Sequence, residues 1–180
     1  MEAYRCIVSK REVRTFLPRE VPLETIMQIL EAGRWSGSSR NRQPWHFVVV
    51  QDRQRLKQLA RFGRFAGHVA DAAFAVAIAV EAERDIFDAG RCAQNMMLAA
   101  WALGIGSCPA VMHNEAQAKE FLGLPPSMKL AIVLSFGFPA GRRKGLAERA
   151  VTRVLLGKGR KPLGEIVSWE RFGGAKFGMQ

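Results

Sequence analysis

Cysteine is scarce. The three present, Cys6, Cys92 and Cys108, are odd in number and widely spaced, and no Cys-x-x-Cys pair occurs. That pattern excludes a disulfide framework and a zinc ribbon, and it favours a reducing cytoplasm. Histidine is as rare: His46, His68 and His113 lie far apart, without metal-ligand spacing. There is no Gly-x-Ser-x-Gly nucleophile elbow and no Walker A loop. Cys108 and His113 form a thin case for a nucleophile and its base, because no third group is evident to orient the pair. The longest apolar run, Ala72–Val80, is far below the ~20 residues a membrane helix needs. The start "MEAYRCIVSKR" lacks a charged head followed by an apolar stretch, so no secretory leader is expected. Internal repeats and low-complexity tracts are also missing.

Acidic residues are short in supply: 16 Asp and Glu face 27 Lys and Arg, a formal net charge of +11. The surplus suits an anionic partner, whether a nucleotide, a phosphorylated cofactor, a nucleic acid or an acidic membrane; simple solubility is the plain alternative. A hydrophobic content of 48% excludes disorder. The length of 180 residues fits one domain, or one subunit of an intertwined oligomer.

Along the chain, Pro22 is placed to open a helix carrying Leu23, Ile26, Ile29 and Leu30, with Gly33 near its end. "HFVVVQ" (His46–Gln51) reads as a buried strand, and Asp52 as the cap of a helix that Gly63 stops. "AFAVAIAV" is apolar on both faces, as a central strand is. Phe87–Gly104 is the longest helix candidate, and its apolar second half calls for burial on every side, which a second subunit would supply. Asn114 with Gln117 resembles a capping box for a short helix ending at Gly123. Lys129–Pro139 is a third strong strand. The tail "PLGEIVSWERFG" alternates enough for a short strand anchored by Trp169 and Phe172. Strands alternating with helices suggest, on spacing alone, a parallel α/β sheet.

Four clusters carry candidate chemistry. "KREVR", Lys10 to Arg14, is either an anion clamp or a solvated helix end. "SSRNRQPW" puts Ser38, Ser39, Asn41 and Gln43 directly before a strand; such a loop suits reading the edge of a heteroaromatic ring, or it is an ordinary surface loop. "GIGSCP", Gly104 to Pro109, lets backbone approach a ligand, or is a helix cap and turn; it is no dinucleotide fingerprint, since it follows a helix instead of opening one. "GKGRKP", Gly157 to Pro162, could fold over a phosphate or stay solvated.

Together the clusters resemble the FMN-dependent nitroreductase family, nearly end to end. "SKREVRTF" looks like its Arg-Arg-Ser-Val-Arg-x-Phe opening. "EAGRWSGSSRNRQPWHFVVV" is similar to its Glu-Ala-Ala-x-x-Ala-Pro-Ser-x-x-Asn-x-Gln-Pro-Trp segment and following strand. "DAGRCAQNMMLAAWALGIGSC", "LGLPPSMKLAIVLSFGFP" and "RKPLGEIVSWERFG" resemble its central helix and Gly-Leu-Gly-Thr-Cys turn, its last strand and its tail.

The resemblance implies an α+β fold: a sandwich with a mixed, mainly antiparallel sheet flanked by helices, in an intertwined homodimer with two FMN at the subunit interface. It implies one domain over residues 1–180, with 162–180 as a tail packing on the partner, and a cytoplasmic enzyme. Lys10 and Arg11 match the phosphate- and ribityl-binding pair. Arg14 matches the cation at the ring's N1 and C2 carbonyl edge, where the reduced ring is anionic and a fixed cation stabilises it. Ser38, Ser39 and Asn41 match the loop that reaches the flavin from the partner subunit. Gly104, Gly106 and Ser107 match the turn near N5, and Lys158, Arg160 and Lys161 the last phosphate cations. The activity implied is ping-pong hydride transfer: NAD(P)H reduces FMN, and a small electron-poor acceptor such as a nitroaromatic or quinone is reduced in turn.

Two departures stand out. Glu12 replaces the usual Ser, and a carboxylate there is expected to turn from a phosphate toward Arg11 or Arg14. Gly37 replaces the usual Pro, loosening the loop. The connection Glu81–Phe87 is too short for the helical excursion of longer members, so an open, lidless pocket is expected. The alternatives are a family sibling with other FMN chemistry, dehalogenation or flavin cleavage, and a basic nucleic-acid-binding module. Against the last, no nucleic-acid motif occurs and the cations fall within the flavin-like segments.

Overall fold

A computed structural model describes residues 2–141 and 160–174. They fall into two units, residues 1–140 and 141–180, treated separately below. In chain order the first unit contains α1 (Ala3–Ser9), α2 (Leu23–Arg34), β1 (Trp45–Val50), α3 (Arg53–Ala60), α4 (Gly67–Ala70) and β2 (Phe74–Val80). It continues with α5 (Ile86–Ala102), β3 (Gly106–Ala110), α6 (Glu115–Leu122) and β4 (Lys129–Gly137). Among the described residues, no helix is long and apolar enough to cross a membrane.

The strands form one sheet in the order β1-β2-β4-β3, with every neighbouring pair antiparallel. The parallel sheet that spacing alone suggests is therefore wrong, while the mainly antiparallel α+β sandwich is right. The reason is that helical connections are long enough to return a strand in either direction, so alternation of elements leaves direction open. The mixed character comes from one parallel bridge, Glu12 to Ser107, where the segment after α1 runs beside β3.

β2 is buried along its whole length, and its period-two alternation sorts two cores. Phe74, Val76, Ile78 and Val80 face α2 and α5, packing with Ile26, Ile29, Cys92 and Met96. Ala75, Ala77 and Ala79 face the other side, where Leu56, Leu59, Val69 and Leu122 approach closely over the small side chains. The rings of Phe74 and Phe136 stack at 4.8 Å. Each large apolar side chain buried this way contributes roughly 1.5–3 kcal/mol. Asp52 caps α3 by accepting the amide of Arg55 at 2.8 Å. β1, expected to be buried, is an edge strand, half covered, with His46 and Val49 exposed.

Gly33 lies near the end of α2, as expected, one residue before Arg34; a Cβ there would sit 2.2 Å from Met96 Cε, so its bareness lets α2 and α5 close on each other. α5 does end at a left-handed glycine, Gly104 at φ +79. α6 ends at Gly123 as expected, but the capping box does not form: Asn114 Nδ2 donates to Gln117 Oε1 at 2.7 Å, and the Asn114 side chain takes no backbone amide.

In the second unit the expected tail strand is a single helical turn, α7 (Leu163–Ile166), started by Pro162. Trp169 and Phe172, expected as anchors, are exposed. The first unit also leaves large apolar side chains uncovered, among them Tyr4, Ile7, Leu23, Met27, Phe65, Trp35 at 74% and Phe87 at 75% exposure.

Candidate functional site

The basic segment begins where α1 stops. Arg11 Nη1 donates to Val8 O at 2.9 Å and to Lys10 O at 2.8 Å, so its guanidinium closes the carbonyl end of the helix. The chain then extends along β3, and Val13 N donates to Ser107 O at 2.9 Å. Gly106 makes that approach possible, since a Cβ there would lie 2.7 Å from Val13 Cβ. On that side the bare Gly106 admits Val13.

Alternate residues of an extended segment share a side, which puts Lys10, Glu12 and Arg14 together. Lys10 Nζ lies 2.5 Å from Glu12 Oε1, with the lysine side chain only 8% exposed and the glutamate 43%. The sequence led to the expectation that Glu12 turns to Arg11 or Arg14; it pairs instead with Lys10, the ammonium most in need of a counter-ion. Arg14 is exposed and has no ion pair or hydrogen bond among the described residues.

Beneath this segment lie Ser107, Cys108, Ser135 and His68. Ser107 is 1% exposed, and its Oγ has no hydrogen-bond partner among the described residues. Ser135 Oγ donates to Cys108 O at 3.2 Å, so its other contact, 2.7 Å to His68 Nδ1, places the imidazole proton on Nδ1. Burial lowers the His68 pKa and the Arg14 charge lowers it further, with Glu12 opposing. Burial raises the Cys108 pKa, Arg14 opposes and Glu12 adds to it. Cys108 and His113 do not form a catalytic pair: His113 Nδ1 accepts the amide of Arg64 at 3.2 Å and its ring packs edge-on to Phe65. Among the described residues no group of three His, Cys, Asp or Glu side chains could hold a metal.

The polar loop is a strained turn. Arg40, Asn41 and Gln43 all have positive φ (52°, 55° and 52°), a conformation that costs non-glycine residues about 1–2 kcal/mol each. Ser38 Oγ holds the turn by accepting the amide of Gln43 at 2.8 Å. Ser39 and Asn41 are left exposed, and neither side chain has an intramolecular hydrogen bond among the described residues. Clustered strain of this kind marks ligand-holding loops. Gly37 does not merely loosen the loop: Arg91 Nη2 would lie 2.4 Å from a Cβ there, so the glycine makes room for that guanidinium.

Sequence reasoning missed one member of this region. Arg42 forks onto Asp85, Nη1 to Oδ1 at 3.2 Å and Nη2 to Oδ2 at 3.3 Å, and also reaches Glu81 Oε2 at 3.3 Å. The available signal was three acids, Glu81, Glu83 and Asp85, in the short connection before α5, against a loop with cations and no acid.

The two halves of the candidate site are far apart within one chain. The loop precedes β1, at the end of the sheet where Trp45 pairs with Val80 and Val80 with Lys129. The basic segment lies beside β3, at the end where Gly106 pairs with Gly137 and Phe74 with Phe136. β1 and β3 are opposite edges, so the two clusters occupy diagonal corners, about 25 Å apart at strand spacings of about 4.8 Å and a rise of about 3.3 Å per residue. Lys158 lies outside the described residues. Arg160 and Lys161 are exposed and belong to the second unit.

These residues fit FMN. A buried hydroxyl without a partner, an unpaired guanidinium and an exposed amide on a strained turn are hydrogen-bonding capacity awaiting a polar, anionic ring system. Glu12 is the one group that fits poorly.

The Nitroreductase family matches residues 7–79 and 63–138. A protein of Archaeoglobus fulgidus, provisionally named an NADH dehydrogenase/NAD(P)H nitroreductase, is 32% identical over 149 residues, 77% of this chain and 86% of its own. An NADPH-flavin oxidoreductase of Vibrio harveyi is 27% identical over 153 residues, 74% of this chain and 64% of its own. A crystal structure of a provisionally named nitroreductase in complex with FMN, from Desulfovibrio desulfuricans, superposes with a TM-score of 0.80 at 27% identity, covering 96% of this chain and 98% of the other. Matching most of the first unit and sharing its fold, this chain belongs to the Nitroreductase family.

Proposed function

We propose that the chain is an FMN-dependent NAD(P)H oxidoreductase that works as a homodimer in the cytoplasm, reducing small electron-poor acceptors such as nitroaromatics or quinones. The observation that carries this reading is the diagonal placement of the two polar clusters. Ser39 and Asn41 of one subunit reach the same flavin as Arg14 and Ser107 only if that subunit is a second copy. The uncovered Tyr4, Ile7, Trp35 and Phe87 supply apolar surface for such a contact. The relatives named above, a flavin oxidoreductase and an FMN-bound nitroreductase among them, support the cofactor.

Bound FMN would supply a two-electron carrier between NAD(P)H and the acceptor. The chain's residues bind and orient. Arg14 holds positive charge at the N1 and C2 carbonyl edge. Lys10 and Arg11 would face the phosphate and ribityl tail. Ser38, Ser39 and Asn41 come from the partner, which the tail 162–180 packs against. Gly104, Gly106 and Ser107 line the N5 side. Only Glu81–Asp85 separate β2 from α5, so the pocket is lidless and tolerant of acceptor shape.

The test is the absorption spectrum and sedimentation of the purified chain, followed by steady-state assays with NADH and NADPH. A yellow dimer that releases FMN and oxidises a nicotinamide against a nitroaromatic is expected. A colourless monomer that refuses added FMN overturns the reading.

A further inference from the structure

Lys10 enters this fold with its charge already matched. Its ammonium is drawn out of water beside Met97, whose Sδ lies 3.6 Å away and carries no charge, and Glu12 Oε1 sits 2.5 Å from Nζ. An ammonium taken from water needs an anion beside it, and the chain brings its own. Arg11 is likewise engaged, on the carbonyls at the end of α1. Of the three cations in this segment, Arg14 alone has no partner among the described residues.

A phosphate arriving at Lys10 therefore meets a neutralised ammonium and a carboxylate held at contact distance from it. Either Glu12 swings away and loses a charge-assisted hydrogen bond, or it stays and repels the phosphate at close range. Both routes subtract from what a phosphate gains, and neither touches an uncharged ribityl tail. Two neighbours frame the choice. On the reading above Ser107 and Arg14 both face the ring instead, and neither the Ser107 hydroxyl nor the Arg14 guanidinium is paired with Glu12, so the contest is over Lys10.

We propose that Glu12 is an internal competitor for the flavin phosphate and so sets how strongly this site distinguishes FMN from riboflavin. This rests on the FMN reading above. Glu12 is a specificity-determining residue that lowers the selectivity for the phosphorylated flavin, with Lys10 as the group contested.

The experiment titrates full-length protein, freed of bound flavin, with FMN and with riboflavin, each followed by quenching of flavin fluorescence. Glu12→Gln, which keeps the shape and removes the charge, tightens FMN about tenfold and changes riboflavin less than about twofold. Glu12→Ser moves FMN in the same direction. Glu12→Asp keeps the charge and keeps the wild-type ratio of the two affinities. An FMN affinity that is unchanged or weaker in both neutral variants overturns the proposal and leaves the FMN reading standing. So does a gain shared equally by riboflavin, which marks a general effect on the pocket. Wild-type protein that quenches neither flavin overturns both.

Discussion

Arg42 grips both oxygens of Asp85 with both terminal nitrogens, at 3.2 and 3.3 Å, and so ties the strained loop before β1 to the start of α5. Asp85 is buried, while Arg42 is a third exposed and has Glu81 as a second partner. The two ends of the bond therefore differ in consequence. Removing Asp85 leaves a guanidinium that turns to Glu81 and solvent. Removing Arg42 leaves a buried carboxylate with, among the described residues, only Arg84 nearby, at 3.9 Å, and an orphaned buried polar group costs about 1–3 kcal/mol. Arg42→Ala is expected to lower the unfolding free energy more than Asp85→Ala, and the double variant to recover part of the Arg42→Ala loss. Urea unfolding of the three proteins checks the order; equal losses would show that the fork is not what holds the loop.

Gly106→Ala places a methyl group 2.7 Å from Val13 Cβ, with both Val13 methyls within 2.9 Å. Neither is the end of a flexible chain, so the segment from Lys10 to Phe16 must lift from β3. The expected loss is about 1–3 kcal/mol, as for other overpacked sites, together with weaker FMN uptake because Arg14 and Ser107 move apart. Gly104→Ala is the comparison: nothing lies within 4 Å, so its loss comes from positive φ alone, about 1 kcal/mol, and leaves the strand pairing intact. Thermal melts and flavin titration of both variants separate a clash from backbone strain.

His68 gives the stability a pH dependence of defined sign. Burial, then Arg14, hold its folded pKa below the ordinary 6.5, so the unfolded chain takes up the proton first. Its contribution is complete above pH 6.5 and is lost as the pH falls from there through the lower folded value. His68→Gln, which has no ring to protonate, should flatten the melting temperature across that window. A variant that keeps the wild-type slope would assign the acid sensitivity to another group.

How much of this was legible beforehand depends on the distance over which each feature is encoded. The β2 run, the Asp52 cap and the Gly104 stop are written within a few residues, and all three form. Strand direction is not local, because a connection the length of α3 and α4 can return the chain either way. Arg42 and Asp85 are 43 positions apart, and nothing in either neighbourhood names the other. The motif similarity identified Lys10, Glu12 and Arg14 as neighbours but misplaced the glutamate. The alternation that sets all three on one side leaves the choice of partner to burial, which only the packed fold fixes. The diagonal separation of the loop from the basic segment is likewise a property of register.

Arg14 carries the sharpest expectation about chemistry. It is exposed and unpaired among the described residues, so Arg14→Ala should leave stability within about 0.5 kcal/mol of the parent. On the proposed function the same change removes the cation at the N1 and C2 carbonyl edge. FMN affinity should fall by about tenfold or more, and reduction by NAD(P)H should slow as well. Arg14→Lys restores charge without the planar fork and should recover only part of either. A flavin-free readout guards against misreading: the Arg14 charge lowers the His68 pKa, so Arg14→Ala must raise it, as followed by the imidazole proton resonances during titration. A raised His68 pKa with unchanged flavin reduction would leave the guanidinium where the structure puts it and take it out of the reaction.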